Sequence, residues 1–176
     1  MSFRIFIGSP VVDHEQLILQ TCQEVQHINP VWRIVQPSSW HVTYAFPGNV
    51  SEEALMEAMD VTELIAQEFE PYTLEPDRFL FMPEKNPSML WLRMKLNPSF
   101  ERLFEAFHRE LNLRPSHAPN PHVTIMRGNA KRLVSTSLPE VDTAPLKQLF
   151  SGINIYRSHL QPGGSRYEVI RSRAMK

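Results

Sequence analysis

The chain alternates short apolar runs of strand length with longer stretches whose apolar positions recur at helical spacing. Phe3-Arg4-Ile5-Phe6-Ile7 is the first such run, and Gly8-Ser9-Pro10 after it predicts a break. From Asp13, a suitable N-cap, Leu17, Ile18, Thr21, Val25 and Ile28 share one helical face, and Asn29-Pro30 ends the element. Residues 32–35 and 40–46 predict two strands around the turn Gln36-Pro37-Ser38-Ser39, with Pro47-Gly48 closing the second. Ser51 caps a second helix that runs to about Phe69, with Glu52 and Glu53 at its positive end and Leu55, Met59, Leu64 and Ile65 as its inner stripe. Residues 72–74, 79–82 and 89–96 are further strand pieces.

Asn97-Pro98-Ser99 opens a third helix. Phe100, Leu103, Phe104, Phe107 and Leu111 follow the i, i+3, i+4, i+7 rule, so this aromatic stripe reads as core. A three-proline loop over 114–121 leads to a strand over 122–127, in which Pro121 precedes the first residue that needs a ladder partner. Residues 130–145 read as loop, and 153–160 with 166–171 as a hairpin around a Pro-Gly-Gly turn. Helices and strands interleave without the regular alternation of a doubly wound sheet. The order predicts an α+β fold with two pseudo-symmetric antiparallel-sheet lobes, helices on the outside and a central cleft, formed by residues 1–176 as one domain.

One repeat changes the picture. His-Val-Thr occurs at His41-Val42-Thr43 and again at His122-Val123-Thr124, 122 − 41 = 81 residues apart, near half of the 176-residue chain. With seven His and seven Thr in the chain, chance places about 0.3 His-x-Thr triplets, so two with the same middle residue are uncommon. Each copy lies in a predicted strand, where residues two apart point to the same face. Two such strands facing one cleft bring together two proton carriers and two hydroxyl donors. Imidazole titrates near neutrality, so one can take a proton while the other gives one. In-line attack at phosphorus needs acid and base on opposite sides of the group. Thr43 and Thr124 suit non-bridging phosphoryl oxygens, and Arg127, three residues beyond Thr124, adds a fork of charged donors.

Composition narrows the alternatives. A net charge of −1 is not that of a protein that coats nucleic acid, although one cleft can be locally basic. No apolar run reaches the length of a membrane span. Cys22 is the only cysteine, lies in a helical pattern and reads as packing; it excludes an intrachain disulfide and a cysteine metal cage and fits a reducing, cytoplasmic setting. No metal-ligand spacing such as His-Glu-x-x-His occurs, so no metal or other cofactor is expected. His14, His27, His108, His117 and His159 lack comparable context and read as ordinary.

The segments 41–50, beginning His41-Val42-Thr43, and 121–127, ending in Arg127, resemble the two motifs of the two-histidine phosphoesterase superfamily, and in particular its LigT-like branch of RNA 2′,3′-cyclic phosphodiesterases. Tyr156-Arg157-Ser158-His159-Leu160, Pro162-Gly163-Gly164 and Tyr167-Glu168-Val169 resemble that branch's final hairpin. The resemblance implies a bilobal α+β enzyme with a central cleft that opens RNA 2′,3′-cyclic phosphate ends to 2′-phosphates; the paired-imidazole chemistry requires no metal, and a monomer is expected. By position His41 is the acid toward the leaving 3′-oxygen, His122 the base on water, and Thr43, Thr124 and Arg127 the phosphate contacts. Tyr44 and Ala45 depart from the aliphatic and often basic residues usual after the first motif. Competing readings are 2′–5′ RNA joining, action on small cyclic nucleotides, and an RNA-end-binding protein without turnover. For that last reading, Trp32, Trp40, Tyr44 and Phe46 are available to stack on bases.

Overall fold

The computed structural model describes residues 2–129, 131, 133–134, 138, 140, 147–161 and 164–176. Most of the loop expected over 130–145, and the Pro162-Gly163 turn, lie outside the described residues. Strands β1 (Phe3–Pro10), β3 (His41–Val50), β9 (Gly152–Gln161) and β10 (Gly164–Ala174) form one antiparallel sheet in the order β10-β9-β1-β3. Strands β2 (Arg33–Ile34), β5 (Pro76–Met82), β6 (Met89–Met94) and β7 (His122–Arg127) form a second, in the order β2-β7-β6-β5. A two-stranded ribbon pairs β4 (Tyr72–Leu74) with β8 (Gln148–Phe150). Three helices complete the fold: α1 (Glu15–Ile28), α2 (Glu52–Glu68) and α3 (Pro98–Glu110).

The α+β architecture agrees with the sequence, but the two sheets are not the two halves of the chain. The C-terminal hairpin β9-β10 joins β1, while β2 from the N-terminal half edges the second sheet. The helices also exchange sides. Helix α1 packs on β2 and β7, and α3 packs on β3 and α2. The buried apolar residues form one cluster that includes residues of both sheets and all three helices. The α3 stripe supplies Phe100, Leu103, Phe104 and Phe107 to it, each stabilising by roughly 1.5–3 kcal/mol when fully buried. Asn97 caps α3 by accepting a 2.9 Å bond from the Phe100 amide, and Ser51 caps α2 through the Ala54 amide at 3.2 Å.

Several local expectations need correction. Gly8-Ser9-Pro10 continues β1, and β3 runs on through Pro47-Gly48. The N-cap position of α1 falls on His14, in a left-handed conformation (φ 65°) and without a side-chain cap bond, not on Asp13. Asp13 instead ties the helix start to β8, its amide donating to Gln148 Oε1 at 3.0 Å. Ile28 and Leu64, expected inside, are 43% and 61% exposed. Only Arg33 and Ile34 of the expected 32–35 strand pair in a ladder.

The two motif strands share an irregularity. Ile7 pairs with Ala45 and Gly8 with Thr43, so Tyr44 has no opposite number on β1. Leu90 pairs with Met126 and Trp91 with Thr124, so Ile125 has none on β6. Tyr44 and Ile125 hold the same place in their motifs: each is a β-bulge one residue past the Thr. Both strands therefore show the same burial sequence over six residues, with His and Thr half-buried, Val and the next two residues after Thr buried, and the sixth exposed.

Close approach of β1 to β3 depends on Gly8. A Cβ there would lie 2.1 Å from the Val42 carbonyl oxygen, a backbone atom that cannot swing aside. Gly8→Ala should lower unfolding stability by roughly 1–3 kcal/mol, the usual size of an overpacking defect. Denaturant titration measures this, and an unchanged midpoint would contradict the packing described.

Candidate functional site

His41 and Thr43 stand on one face of β3, and His122 and Thr124 on the equivalent face of β7, with Val42 and Val123 between them fully buried. All four line one cleft of about 680 Å³, and the motif strands themselves are in contact. The sequence-predicted residues are thus brought together, Arg127 included.

Arg127 reaches the cleft because of the bulge. Strict alternation would send a residue three beyond Thr124 to the opposite face. The unpaired Ile125 shifts the phase by one, so Arg127 rejoins the face of His122 and Thr124. The same shift at Tyr44 brings Phe46 into the cleft, half exposed at 50%. Phe46 and Arg127 are counterparts: one sheet contributes a ring where the other contributes a guanidinium.

The imidazoles are held alike. His41 Nδ1 lies 2.7 Å from the Ser39 carbonyl, and His122 Nδ1 lies 2.8 Å from the Asn120 carbonyl, each two residues upstream. A carbonyl only accepts, so in both rings Nδ1 carries the proton and donates, which leaves Nε2 with its lone pair. The supporting turns are fixed in parallel ways. The Trp40 carbonyl accepts from the Val11 amide and the Pro121 carbonyl from the Met94 amide, both at 2.9 Å, so the residue before each His is locked to the neighbouring strand. Trp40 Nε1 donates to the Val35 carbonyl at 2.9 Å and braces the turn that presents Ser39.

Each ring also has aromatic company. His41 has the rings of Phe6, Tyr167 and Tyr156 at 4.5, 5.3 and 5.4 Å, and His122 stacks on Trp91 at 3.6 Å between centroids. Burial disfavours the imidazolium and pushes His41 down to about 4, helped by the positive charges of His122 and Arg127 and opposed by the Ser39 bond. Burial also lowers His122 from 6.5, opposed by its Asn120 bond, with His117 pushing the same way as burial.

The cleft is cationic. Arg4, Arg33, Arg127 and Arg166 line it, and no Asp or Glu does so among the described residues. Arg4 sits 5.0 Å from the Phe46 ring centroid, and its buried Nε has no hydrogen-bond partner among the described residues. On a chain of net charge −1, this concentrates positive potential at one place. Sequence reasoning missed Arg4, Arg33, Arg166, Trp91 and Tyr167. The signal available was modest: Arg4 and Trp91 sit at alternating positions in apolar strands, where a polar or amphipathic side chain marks the face away from the core.

The aromatic assignments divide. Trp32, Trp40 and Tyr44 are buried in the core, so none offers a surface to a base. Tyr44, which departs from the family pattern, places its hydroxyl between Ser9 Oγ and the Tyr72 hydroxyl, each 2.7 Å away, in a buried chain. The departure therefore alters the core beneath the strand. Cys22 is packing, as expected: it is fully buried, and burial pushes its thiol up to about 12. Among the described residues, no group of three or more His, Cys, Asp or Glu is placed to hold a metal ion, and no helix is long and apolar enough to cross a membrane.

Comparison with known proteins adds to this geometry. No curated protein matches the sequence. Solved structures do match in fold: TT0787 of Thermus thermophilus (TM-score 0.78, 20% identity, 98% of this chain and 97% of that one), and E. coli LigT without ligand (TM-score 0.76, 22% identity, 100% and 99%). E. coli LigT has also been solved with 3′-AMP, at TM-score 0.75 and 21% identity over 100% of this chain and 99% of that one. The 2′-5′ RNA ligase superfamily model matches residues 20–162, a span that holds both His-Val-Thr strands and ends just past β9. By that match over most of its length, this chain belongs to the 2′-5′ RNA ligase superfamily, whose members are two-histidine phosphoesterases.

Proposed function

We propose that this protein opens 2′,3′-cyclic phosphate ends of RNA to 2′-phosphates by acid–base catalysis from His41 and His122, without a metal ion. The observation that carries this reading is the pair of imidazoles. They sit at equivalent positions of two strands, with the same tautomer, in a cleft lined by four arginines and, among the described residues, no carboxylate. Superfamily membership supports an enzyme acting on phosphodiesters, and E. coli LigT, of like fold, has been solved with 3′-AMP and with phosphate.

In this mechanism the phosphoryl group lies between the two Nε2 atoms. One imidazole, neutral, takes a proton from the attacking water, and the other, protonated, gives one to the departing oxygen as the P–O bond breaks. The resemblance-based order makes His41 the acid toward the 3′-oxygen and His122 the base. Because burial holds His41 near 4 in the free protein, that order requires the bound phosphate to restore its charge. A negative phosphodiester beside the ring does so. Thr43 and Thr124 donate to non-bridging oxygens, and Arg127 neutralises the charge that builds on them. Phe46, open to the cleft beside Arg4, offers a face to the terminal base.

The superfamily's name favours a second reading, 2′–5′ joining, in which an RNA 5′-hydroxyl replaces water as the nucleophile at the same site and the 3′-oxygen leaves as before. Incubating a cyclic-phosphate-ended oligonucleotide in chelator, with and without a 5′-hydroxyl acceptor, separates the two. Hydrolysis predicts a terminal 2′-phosphate, and joining predicts a 2′–5′ linkage.

His41→Ala and His122→Ala should each lower turnover by about 10²- to 10⁴-fold with the fold retained by circular dichroism. Full activity in either variant would exclude the mechanism. The pH dependence follows from the lowered imidazoles. The productive free protein has one ring charged and one neutral, and both rings titrate below 6.5, His41 near 4. kcat/KM should therefore peak on the acid side of 6.5 and fall about tenfold per unit once both rings are neutral. The kcat profile should lie to the alkaline side of it, because bound phosphate raises the rings. A pH-independent kcat/KM would remove the paired-imidazole mechanism.

A further inference from the structure

A second, smaller cavity of about 150 Å³ adjoins the main cleft. It shares His122, Thr43 and Phe46 with the main cleft, so the two spaces meet at the proposed reacting centre. Its other wall comes from the end of α3 and the loop after it: His108, Arg114, Ser116, His117 and Asn120. No Asp or Glu lines it among the described residues. That volume is enough for a phosphate group.

Tyr44, Ala45, Phe104 and Leu113 make the inner part of this cavity apolar, and the groups on its other wall suit an anion. Arg114 is exposed and brings a permanent charge with a fork of donors. His108 Nδ1 donates to the Phe104 carbonyl and His117 Nδ1 to the Ala118 carbonyl, both at 2.8 Å, so each ring keeps its Nε2 uncommitted to those bonds. Ser116 adds a hydroxyl. The half-buried His108 ring is steadied against Phe104 at 4.1 Å, so this donor is held by the core rather than free on the surface.

We propose that this cavity is a second phosphate subsite, which takes the phosphate on the 5′ side of the terminal nucleoside while the cyclic phosphate lies between His41 and His122. The inference rests on the phosphodiester reading of the main cleft and sharpens its substrate class. The preferred substrate carries at least two phosphates, as the 3′ end of an RNA chain does and a nucleoside 2′,3′-cyclic monophosphate does not. It also gives work to His108 and His117, which sequence context left as ordinary.

The test compares three substrates: a nucleoside 2′,3′-cyclic monophosphate, the same compound with an added 5′-phosphate, and a dinucleotide ending in the cyclic phosphate. The readout is the ratio of kcat/KM values, in which any general effect on the reacting histidines cancels. Both two-phosphate substrates should exceed the monophosphate by about tenfold or more, and Arg114→Ala should erase most of that advantage while Arg114→Lys restores part of it. An advantage for the dinucleotide alone would assign the cavity to nucleoside contacts and overturn the phosphate assignment. So would an advantage that survives Arg114→Ala, or no advantage at all. Calorimetric titration of a nucleoside 3′,5′-bisphosphate against the 3′-monophosphate reads the subsite without turnover. If the protein hydrolyses none of the substrates yet binds the bisphosphate more tightly in an Arg114-dependent way, the hydrolase reading fails and the subsite stands. Equal binding of the two overturns the subsite.

Discussion

Each motif strand carries one residue more than its neighbour can match, and the chemistry of the cleft depends on that mismatch. A regular strand places residues 1, 3 and 5 of a motif on one face. The bulges at Tyr44 and Ile125 instead turn residues 1, 3 and 6 to the cleft. The sixth residues, Phe46 and Arg127, are then added to a face that already holds His and Thr, and two successive residues are given to the core. The bulge in β3 sits next to Gly8, where β1 comes close enough to exclude any side chain. The second sheet repeats the arrangement without a glycine: Trp91, not a small residue, faces Thr124 there and leaves its ring flat against His122. The two halves of the site are therefore equivalent in backbone and different in surroundings, which suits a reaction that needs two unlike proton carriers.

The carbonyl bonds to Nδ1 do for the protons what the bulges do for the side chains. An imidazole with two open nitrogens has two neutral tautomers, and only one presents a lone pair to the cleft. The carbonyls of Ser39 and Asn120 select that one in both sheets. The same bonds favour the charged ring and so offset part of the burial that lowers both groups. Among the described residues lining the cleft there is no carboxylate to hold either ring charged. The charge state of the pair is thus left to whatever anion enters, and the arginines determine that an anion does.

Most elements were legible because periodicity and capping agreed, as in α3, where Asn97, Pro98 and the Phe stripe point to the same helix. The misreadings have physical causes. Gly8-Ser9-Pro10 and Pro47-Gly48 have the composition of breaks, yet they lie in β1 and β3, and Pro47 falls where the β1–β3 register slips between Ile5 and Ile7. Such a slip tolerates a residue that cannot donate. Trp40 and Tyr44 fall on the Val42 face by simple alternation and are buried with it; the bulge changes only the next two residues, turning Ala45 to the core and Phe46 to the cleft, and a bulge has no signature in a single sequence. The repeated His-Val-Thr picked out, by residue type alone, the two imidazoles that share the cleft and that we propose react. Arg4 and Arg166 were invisible beside it, since strands far apart in sequence bring them to the cleft.

The exchange of helices between the sheets bears on how the pair can work. Helix α1 comes from the segment before β3 but packs beneath β7, and α3 comes from the segment before β7 but packs beneath β3. Each motif strand is thus backed by a helix that precedes the other, over one continuous apolar cluster. Separating the imidazoles would divide the apolar cluster that both sheets share and expose side chains now buried in it. Close-packed interiors resist such movement. Proton transfer on both sides of one phosphorus requires that spacing to be held to a fraction of an ångström, because a misplacement of about 1 Å can cost 10²-fold in rate. A site built on two strands 81 residues apart would otherwise be hard to keep in register, and the one apolar cluster beneath both strands is what holds it.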